Sequence, residues 1–206
     1  MNKNLLIIGA SGHGKVVADI ALKIGKWDSI SFLDDNKNKK ISMGLNVIGN
    51  TTRFVDYIKE YDIFVGIGNN KIRREIYNTL KQIGASIPTL IHPNSVIGSD
   101  VKVGEGTVIM AGVIINCCTT IGKGCIINTG STLDHDNELE NFVHLSPGVH
   151  LAGSVKIGSD SWLGVGSVVK NNIEIVENTT LGAGAVVVKD INEAGVYIGI
   201  PARRVK

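Results

Sequence analysis

The residues best suited to chemistry in this 206-residue chain are a histidine between two carboxylates, Asp134-His135-Asp136. An imidazole beside a carboxylate is held in one tautomer and made more basic, which suits a general base near neutral pH. His135 would take the proton of an amine or hydroxyl as that group attacks a carbonyl. Composition alone favours a surface histidine in an acidic corner, whereas the surrounding motif favours the base.

A second cluster follows the strands of the N-terminal half. Gly9-Ala10-Ser11-Gly12-His13-Gly14 lies between a buried strand and a helix, where glycines let backbone amides approach a phosphate. Its spacing is GxxGxG, so the dinucleotide fingerprint GxGxxG is not met. Asp34-Asp35 ends the second strand and Gly66–Asn70 ends the third. These three strand ends predict a crevice for a nucleotide or sugar nucleotide, although each alone is an ordinary tight turn.

Histidines and cysteines also suggest metal or thiol chemistry. Zinc needs three ligands that converge on one point. No such grouping is expected, because the spacings are 43, 9 and 6 residues between His92, His135, His144 and His150. We therefore predict no metal.

The three cysteines, Cys117, Cys118 and Cys125, form no CxxC pair and no disulfide framework. None has a histidine beside it, so core packing is their expected role. The apolar run at residues 5–8 is too short for a signal or membrane-spanning segment, and the net charge of +2 asks for neither nucleic acid nor a membrane surface. The expected compartment is the cytoplasm.

The elements that position these residues follow two different periodicities. Residues 1–90 alternate between strands and helices, which predicts a Rossmann-like parallel sheet covered by helices. Strands are expected at residues 3–8, 30–33 and 63–67, with Asn69 or Asn70 capping the last helix.

Residues 91–206 have a period of six. Seventeen consecutive sixth positions are Ile, Leu or Val: Ile91, Ile97, Val103, Ile109, Ile115, Ile121, Ile127, Leu133, Leu139, Leu145, Leu151, Ile157, Leu163, Val169, Ile175, Leu181 and Val187. Each hexad predicts one side of a triangular coil whose Ile, Leu or Val points inward and stacks on its counterpart 18 residues away.

This coil predicts a site shared between subunits. His144 lies nine residues, or half a coil, after His135, so the two histidines of one chain face different sides. They meet only if His135 of one subunit faces His144 of another, which predicts a homotrimer. A packed interface histidine is the alternative for His144.

The combination of motifs resembles the bacterial sugar acetyltransferases of the hexapeptide-repeat, left-handed β-helix type. These include enzymes that acetylate UDP-4-amino-4,6-dideoxy sugars in bacillosamine-type pathways of surface glycan synthesis, and relatives that O-acetylate sialic acid. The resemblance covers the whole chain, and its motifs are the GASGHG turn, Phe32–Asp35, Ile67–Asn70 with Ile72-Arg73, Asp134–Asp136, Phe142–Gly148 and Gly199–Ala202.

The resemblance implies a left-handed coil, acetyl-CoA as co-substrate and direct attack by the acceptor. It implies that His135 is the base and that Asp136 raises its basicity. His144 would contact acetyl-CoA, while Val165 and Ala183 would lie along its pantetheine arm.

The resemblance also assigns the N-terminal crevice to the nucleotide sugar. The nucleotide diphosphate would be held by Ser11, Gly12 and His13, and the nucleoside would be contacted by Asp34, Asp35 and Gly68. Asn137 replaces the usual small or branched residue, which predicts a local distortion beside the base.

Three functions remain in view. The first is an acetyl-CoA-dependent N-acetyltransferase acting on a nucleotide-linked, UDP by preference, 4-amino sugar. The second is an O-acetyltransferase acting on sialic acid or another sugar hydroxyl. The third is a non-catalytic sugar-nucleotide scaffold. The Asp134–Asp136 motif disfavours it, because structural packing does not require that motif.

Overall fold

The computed structural model describes residues 4–206 and has two compact units. The first unit ends at Pro93, and the second spans Asn94–Lys206. Lys3, which the predicted first strand includes, lies outside the described residues.

The first unit is a five-stranded sheet with two helices. Its strands are β1 (Asn4–Ile8), β2 (Ser29–Leu33), β3 (Ile41–Ser42), β4 (Leu45–Gly49) and β5 (Tyr61–Val65), in the order β3-β4-β2-β1-β5. Every pairing is parallel except that of β3 with β4. The helices are α1 (Gly12–Ile24) and α2 (Asn70–Gln82), with a 3-10 helix at Thr51–Tyr57 and a further short strand at Leu90–Ile91.

Local sequence determines where the two helices begin and end. Helix α1 follows Ser11 and stops at Gly25, whose φ of 65° lets its amide bond the Ala21 carbonyl. Helix α2 is capped by Asn69, whose side chain accepts a hydrogen bond from the Ile72 amide. The sequence predicted β1, β2, β5 and the two helices, whereas it did not predict β3, β4 or the 3-10 helix.

The second unit is a coil of strands, most of them two residues long, that form three faces. Every pairing within it is parallel except that of Gly195–Ile198 with Arg203–Arg204. Face A contains Val96–Ile97, Ile114–Ile115, Thr132–Leu133, His150–Leu151, Val168–Val169 and Val186–Val187. Face B contains Lys102–Val103, Thr120–Ile121, Glu138–Leu139, Lys156–Ile157 and Glu174–Ile175. Face C contains Val108–Ile109, Ile126–Ile127, His144–Leu145, Trp162–Leu163, Thr179–Leu181, Gly195–Ile198 and Arg203–Arg204.

The predicted hexad residues fill the interior of this coil. Residues 18 apart pair in register, as Leu133 does with Ile115 before it and Leu151 after it. Most of the inward residues are fully buried, but Ile97 is 37% exposed because the first coil of the unit has a neighbour on one side only.

The chain turns each corner through a residue in the left-handed region. Positive φ values recur at every sixth position from Asp100 to Gly184, and Asp136 holds one of them at 58°. The turn that carries His135 is therefore a regular corner of the coil, and the predicted distortion beside the base is wrong.

The outward faces differ in chemistry. Face B is charged, with Lys156 within 3.9 Å of Glu138 and 3.6 Å of Glu174. Face A exposes apolar side chains, among them Val96 and Ile114. Within residues 4–206, no helix has both the length and the apolar character needed to cross a membrane.

Candidate active site

His135 leaves the coil at the corner between faces A and B, directly after the strand Thr132–Leu133. Its Nδ1 lies 2.7 Å from Asp136 Oδ2, and the side chain is 54% exposed. Because Nδ1 donates its hydrogen to this carboxylate, Nε2 carries the lone pair. The structure thus brings the two predicted catalytic residues together, with the imidazole half-exposed.

Two carboxylates determine the basicity of this imidazole. The hydrogen bond with Asp136 raises the pKa of His135, outweighing slight burial, and the negative charge of Asp134 adds to the effect. The Asn116 side-chain amide donates to Asp134 Oδ1 at 2.8 Å, and the His135 backbone amide donates to the same oxygen at 3.0 Å. These bonds hold the pKa of Asp134 below its usual value. Asp134 is therefore more acidic, and His135 more basic, than the free side chains.

Gly153 provides the space into which the His135 ring leans. A Cβ atom built at Gly153 would lie 2.6 Å from Cε1 and 2.7 Å from Nε2 of the ring. The φ of Gly153 is not positive, so no backbone requirement explains the glycine. Sequence reasoning missed this role; the position of Gly153, 18 residues after His135, is the signal that identifies it.

His144 lies on face C, on the opposite side of the triangle from the corner that carries His135. Its ring stacks on Trp162 with centroids 5.8 Å apart and planes 13° apart. The Trp162 indole donates to Ser146 Oγ at 2.8 Å. Trp162, the outward residue 18 positions after His144, was not predicted. The two histidines do not come together within one chain, as their spacing indicated.

Val165 and Ala183 lie one coil apart at the corner between faces C and A. Gly184 donates its amide hydrogen to the Val165 carbonyl at 2.8 Å, and both predicted residues are exposed. This corner follows the strand that carries Trp162. The predicted acetyl-CoA residues therefore line the edge of one face.

The carboxyl ends of β1, β2 and β5 meet in the first unit, because Ile8 pairs with both Leu33 and Val65. Asp34 follows β2 and accepts hydrogen bonds from the Ala10 amide at 2.8 Å and the Asn36 amide at 3.0 Å.

Asp34 is partly buried, and burial alone would raise its pKa. Hydrogen bonds from the two amides and from Lys39 outweigh burial, so its pKa lies below the usual value. Asp35 accepts from both the amide and the hydroxyl of Thr51, at 3.0 and 2.8 Å. Both carboxylates thus organise the loops of the crevice, and direct contact with a nucleoside stays a prediction.

Ser11 and Gly12 are exposed at the start of α1, and nothing lies within 4 Å of a Cβ built at Gly12. Such a Cβ at Gly14 would collide with the Gly9 carbonyl oxygen, so that glycine allows the helix to approach the turn. The His13 Nε2 atom is buried without a hydrogen-bond partner. Burial, with the nearby Arg73 charge, lowers the pKa of His13 to about 4, so the ring is neutral near pH 7.

Arg73 supports Gly68 from below. Arg73 is 2% exposed, and its guanidinium donates to the carbonyls of Ile67 at 3.2 Å and Gly68 at 2.9 Å, and to Asn70 Oδ1 at 2.8 Å. The sequence motif contains Arg73, but its role in holding this loop was not predicted.

The cysteines divide between core and surface. Cys125 is buried, as predicted, whereas Cys117 and Cys118 are exposed at the corner between faces A and B. Core packing is therefore wrong for these two, because their positions in the hexad point outward. Among residues 4–206, no three His, Cys, Asp or Glu side chains come together as a metal ion would need.

Comparisons with known proteins match both units. Residues 4–80 match the PglD N-terminal domain, and residues 100–135 match the bacterial transferase hexapeptide (six repeats). The chain is 30% identical over 173 residues to GDP-perosamine N-acetyltransferase of Escherichia coli O157:H7, covering 81% of this chain and 78% of that relative.

Two further proteins are similar. UDP-N-acetylbacillosamine N-acetyltransferase of Bacillus subtilis (strain 168) is 35% identical over 113 residues, about half of each chain (53% and 52%). The acetyltransferase domain of PglB from Neisseria gonorrhoeae FA1090, solved in complex with acetyl coenzyme A, is 39% identical with a TM-score of 0.96 over 100% of both chains. These matches confirm the predicted fold, an α/β domain followed by a left-handed β-helix of hexapeptide repeats.

Proposed function

Because the chain belongs to the hexapeptide-repeat sugar N-acetyltransferases, we propose that it transfers the acetyl group of acetyl-CoA to the amino group of a nucleotide-linked 4-amino-4,6-dideoxy sugar. The observation that carries this proposal is the exposed His135–Asp136 pair with its 2.7 Å hydrogen bond. A relative of this chain acts on GDP-perosamine and another on a UDP-linked bacillosamine derivative, as their names state.

His135 acts as the general base in the proposed reaction. The neutral amine nitrogen attacks the thioester carbonyl, and Nε2 of His135 accepts the proton that the nitrogen loses. The imidazolium is stabilised by Asp136, and the C–S bond then breaks to release CoA, whose thiolate takes up the proton. A positioned base of this kind is worth about 10²–10⁴ in rate.

The acetyl donor and the base come from different copies of the chain in this proposal. His144, Trp162 and the corner at Val165 and Ala183 lie along face C and its edge, whereas His135 lies at the opposite corner. A thioester near His144 therefore reaches His135 of a second copy more readily than His135 of its own chain.

A homotrimer satisfies this geometry with three equal sites. The apolar side chains on faces A and C support contact between copies, among them Ile114 and Trp162, at 42% and 49% exposure. The charged face B is suited to solvent. The fourth strand of that face, Lys156–Ile157, presents a lysine between two glutamates.

The nucleotide binds the crevice of the first unit in this account. Free backbone space at Gly12 and the N-terminus of α1 suit a diphosphate. Ser11 and His13 flank that space, and Gly68, Asp34 and Asp35 border it at the neighbouring strand ends. A neutral His13 donates or accepts a hydrogen bond without adding charge.

An acceptor panel tests the proposal. Purified chain is mixed with acetyl-CoA and, in turn, UDP-linked and GDP-linked 4-amino-4,6-dideoxy sugars, their 4-hydroxy counterparts and sialic acid, and CoA release is measured. We expect release with a 4-amino sugar, with UDP the first candidate and GDP the second, and none with its matched 4-hydroxy sugar. Acetylation of sialic acid or of the 4-hydroxy sugars alone would replace the proposal with O-acetylation, and no release with any acceptor would favour a scaffold.

A further inference from the structure

Asn137 is an amide side chain in an apolar core. It is fully buried and points inward at the corner between faces A and B. The inward residues at the same corner of the other coils have no side-chain amide: Val101, Thr119, Val155 and Ile173. Burying an amide is costly unless its hydrogen-bonding groups are satisfied, so this position needs a specific explanation.

The hydrogen bonds of Asn137 join three coils. Its Nδ2 donates to the Asp134 carbonyl, and its Oδ1 accepts from the Val155 amide at 3.1 Å. Its backbone amide donates to Thr119 Oγ1 at 3.3 Å. One end of the side chain therefore holds the residue that begins the His135 turn, and the other end is fixed to the following coil.

The same turn is held at its other residues by backbone bonds. Asp136 donates its amide hydrogen to the Cys117 carbonyl at 3.2 Å, and Ser154 donates to the His135 carbonyl at 2.9 Å. The Asp134 carbonyl also accepts from the Thr119 hydroxyl at 3.1 Å. The left-handed conformation of Asp136, φ 58°, determines where its carboxylate lies relative to His135.

We infer that Asn137 is a positioning residue for the base: its amide fixes the Asp134–Asp136 turn so that the Asp136 carboxylate meets His135 Nδ1. Asn137 touches no substrate in this role and acts only through His135. The inference deepens the proposed function and rests on it for the identity of the base.

A second corner provides a matched control. Thr179 Oγ1 donates to the Val176 carbonyl three residues before it at 2.8 Å, as Asn137 does to Asp134, and that carbonyl also accepts from Ser161 Oγ at 3.2 Å. Thr179 is likewise fully buried, and no histidine lies in its turn. Removing this bond tests the general cost of a lost corner hydrogen bond.

The groups around His135 determine what its titration reports. Asp134 and Asp136 lie on its own turn, and the thiols of Cys117 and Cys118 lie on the preceding coil. The following coil presents Gly153 and Ser154, neither of which titrates. A change in the His135 pKa that leaves these residues in place therefore reports how the turn holds Asp134 and Asp136 against the ring.

The experiment compares Asn137→Val with Thr179→Val in the full chain. The His135 pKa is measured by NMR of ¹³C-labelled histidine, with His135→Ala used to assign the signal, and kcat is measured alongside. We expect Asn137→Val to lower the His135 pKa towards that of a free histidine and kcat by about 10- to 100-fold, the cost of a misplaced catalytic group. Thr179→Val should leave the His135 pKa unchanged and kcat within about twofold of the native value, since it removes a bond without moving the base.

Asn137→Ser guards against a loss of folding. Ser161, an inward corner serine, accepts from the Thr179 amide and donates to the carbonyl of the following coil, so a serine at 137 retains the bond to the Val155 amide and releases Asp134. We expect this variant also to lower the His135 pKa and kcat. If both Asn137 variants, or Asn137→Ser alone when the valine variant is unfolded, match Thr179→Val, the inference is wrong.

Failure of the proposed function gives a different result. Full turnover by His135→Ala would show that His135 is not the base. Asn137 would then have no effect on turnover through His135. The NMR titration would still show whether Asn137 controls the His135–Asp136 contact. An unchanged pKa together with an inactive His135→Ala variant would contradict the inference alone.

Discussion

The hydrogen bond to Asp136 has the largest effect on the basicity of His135. The bond to Asp136 raises the pKa of the imidazole and leaves Nε2 as the nitrogen that can accept a proton. A base must be neutral to accept a proton, so in the proposed mechanism the raised pKa predicts that activity increases with pH through a higher range than for a free histidine.

Asp136→Asn tests this sign. The amide removes the charge and weakens the bond, so the His135 pKa falls and the acid limb of the kcat/KM profile moves to lower pH. The plateau rate also falls, because the weaker base removes the proton less effectively. Glu138→Gln, on face B, is the matched control and should leave the profile in place. An acid limb that Asp136→Asn does not move would contradict the assignment.

Gly153→Ala tests the space beside the ring. Its backbone tolerates alanine, yet the added Cβ would meet the His135 ring at 2.6 Å. We expect a 10- to 100-fold loss of kcat, on the order expected for a displaced catalytic group. In the His135→Ala background the same change should cost nothing further, since the clash is gone. Equal losses in both backgrounds would show that Gly153 acts independently of His135.

The residues of this site were unequally predictable. Asp134–Asp136 is a contiguous motif whose chemistry follows from residue type, so the pair was found from sequence. Gly153 and Trp162 act across coils, and their roles depend on the direction of a ring, which periodicity does not specify. Asn137 was expected to distort the turn because it replaces the usual small or branched residue. The sequence pattern does not reveal the two side-chain hydrogen bonds that accommodate it.

At the scale of elements, the candidate residues lie at strand ends in the first unit and at repeated corners in the second. The six-residue period predicted the coil because the inward positions must be apolar, and the structure buries nearly all of them. The left-handed corners were not predicted, since Asp, Cys, Phe, Ser and Asn occupy them as well as Gly. In the first unit, β3 has only two residues and β4 has no fully buried residue, which gives both a weak periodicity.

The start of α1 carries the prediction for nucleotide binding. Gly12→Leu places a side chain in open space, so folding should be unaffected. The side chain would occupy the proposed diphosphate position and raise the KM for the sugar nucleotide by at least about 10-fold, with the KM for acetyl-CoA unchanged. Leu22→Ala, an exposed position later in α1, is the control. An unchanged KM for the sugar nucleotide would contradict the assignment of the diphosphate to this turn.

At the scale of the whole molecule, the proposed site needs two copies of the chain. His135 and His144 lie on opposite sides of the triangular coil, so one chain presents the proposed base and the proposed donor-binding residues in different directions. The sequence predicted this separation from the nine-residue spacing. It did not predict which faces are apolar, because the outward positions follow no period.

Mixed trimers test the shared site. His135→Ala and His144→Ala chains are mixed under conditions of proven subunit exchange and assayed at low acetyl-CoA concentration. Every mixed trimer has one site with both histidines intact, so random mixing should restore about a quarter of native activity. Each variant alone should remain impaired. If activity does not recover despite exchange, both histidines of a site must come from one chain.

The most direct test of the central claim is the turnover of His135→Ala with acetyl-CoA and the preferred amino-sugar acceptor. His150→Ala is the matched control, because His150 is an outward histidine of face A that bonds Thr132 at 2.8 Å. We predict that His135→Ala lowers kcat by about 10²–10⁴-fold, the usual worth of a positioned base, while acetyl-CoA binds with native affinity. A kcat equal to that of His150→Ala would contradict the account.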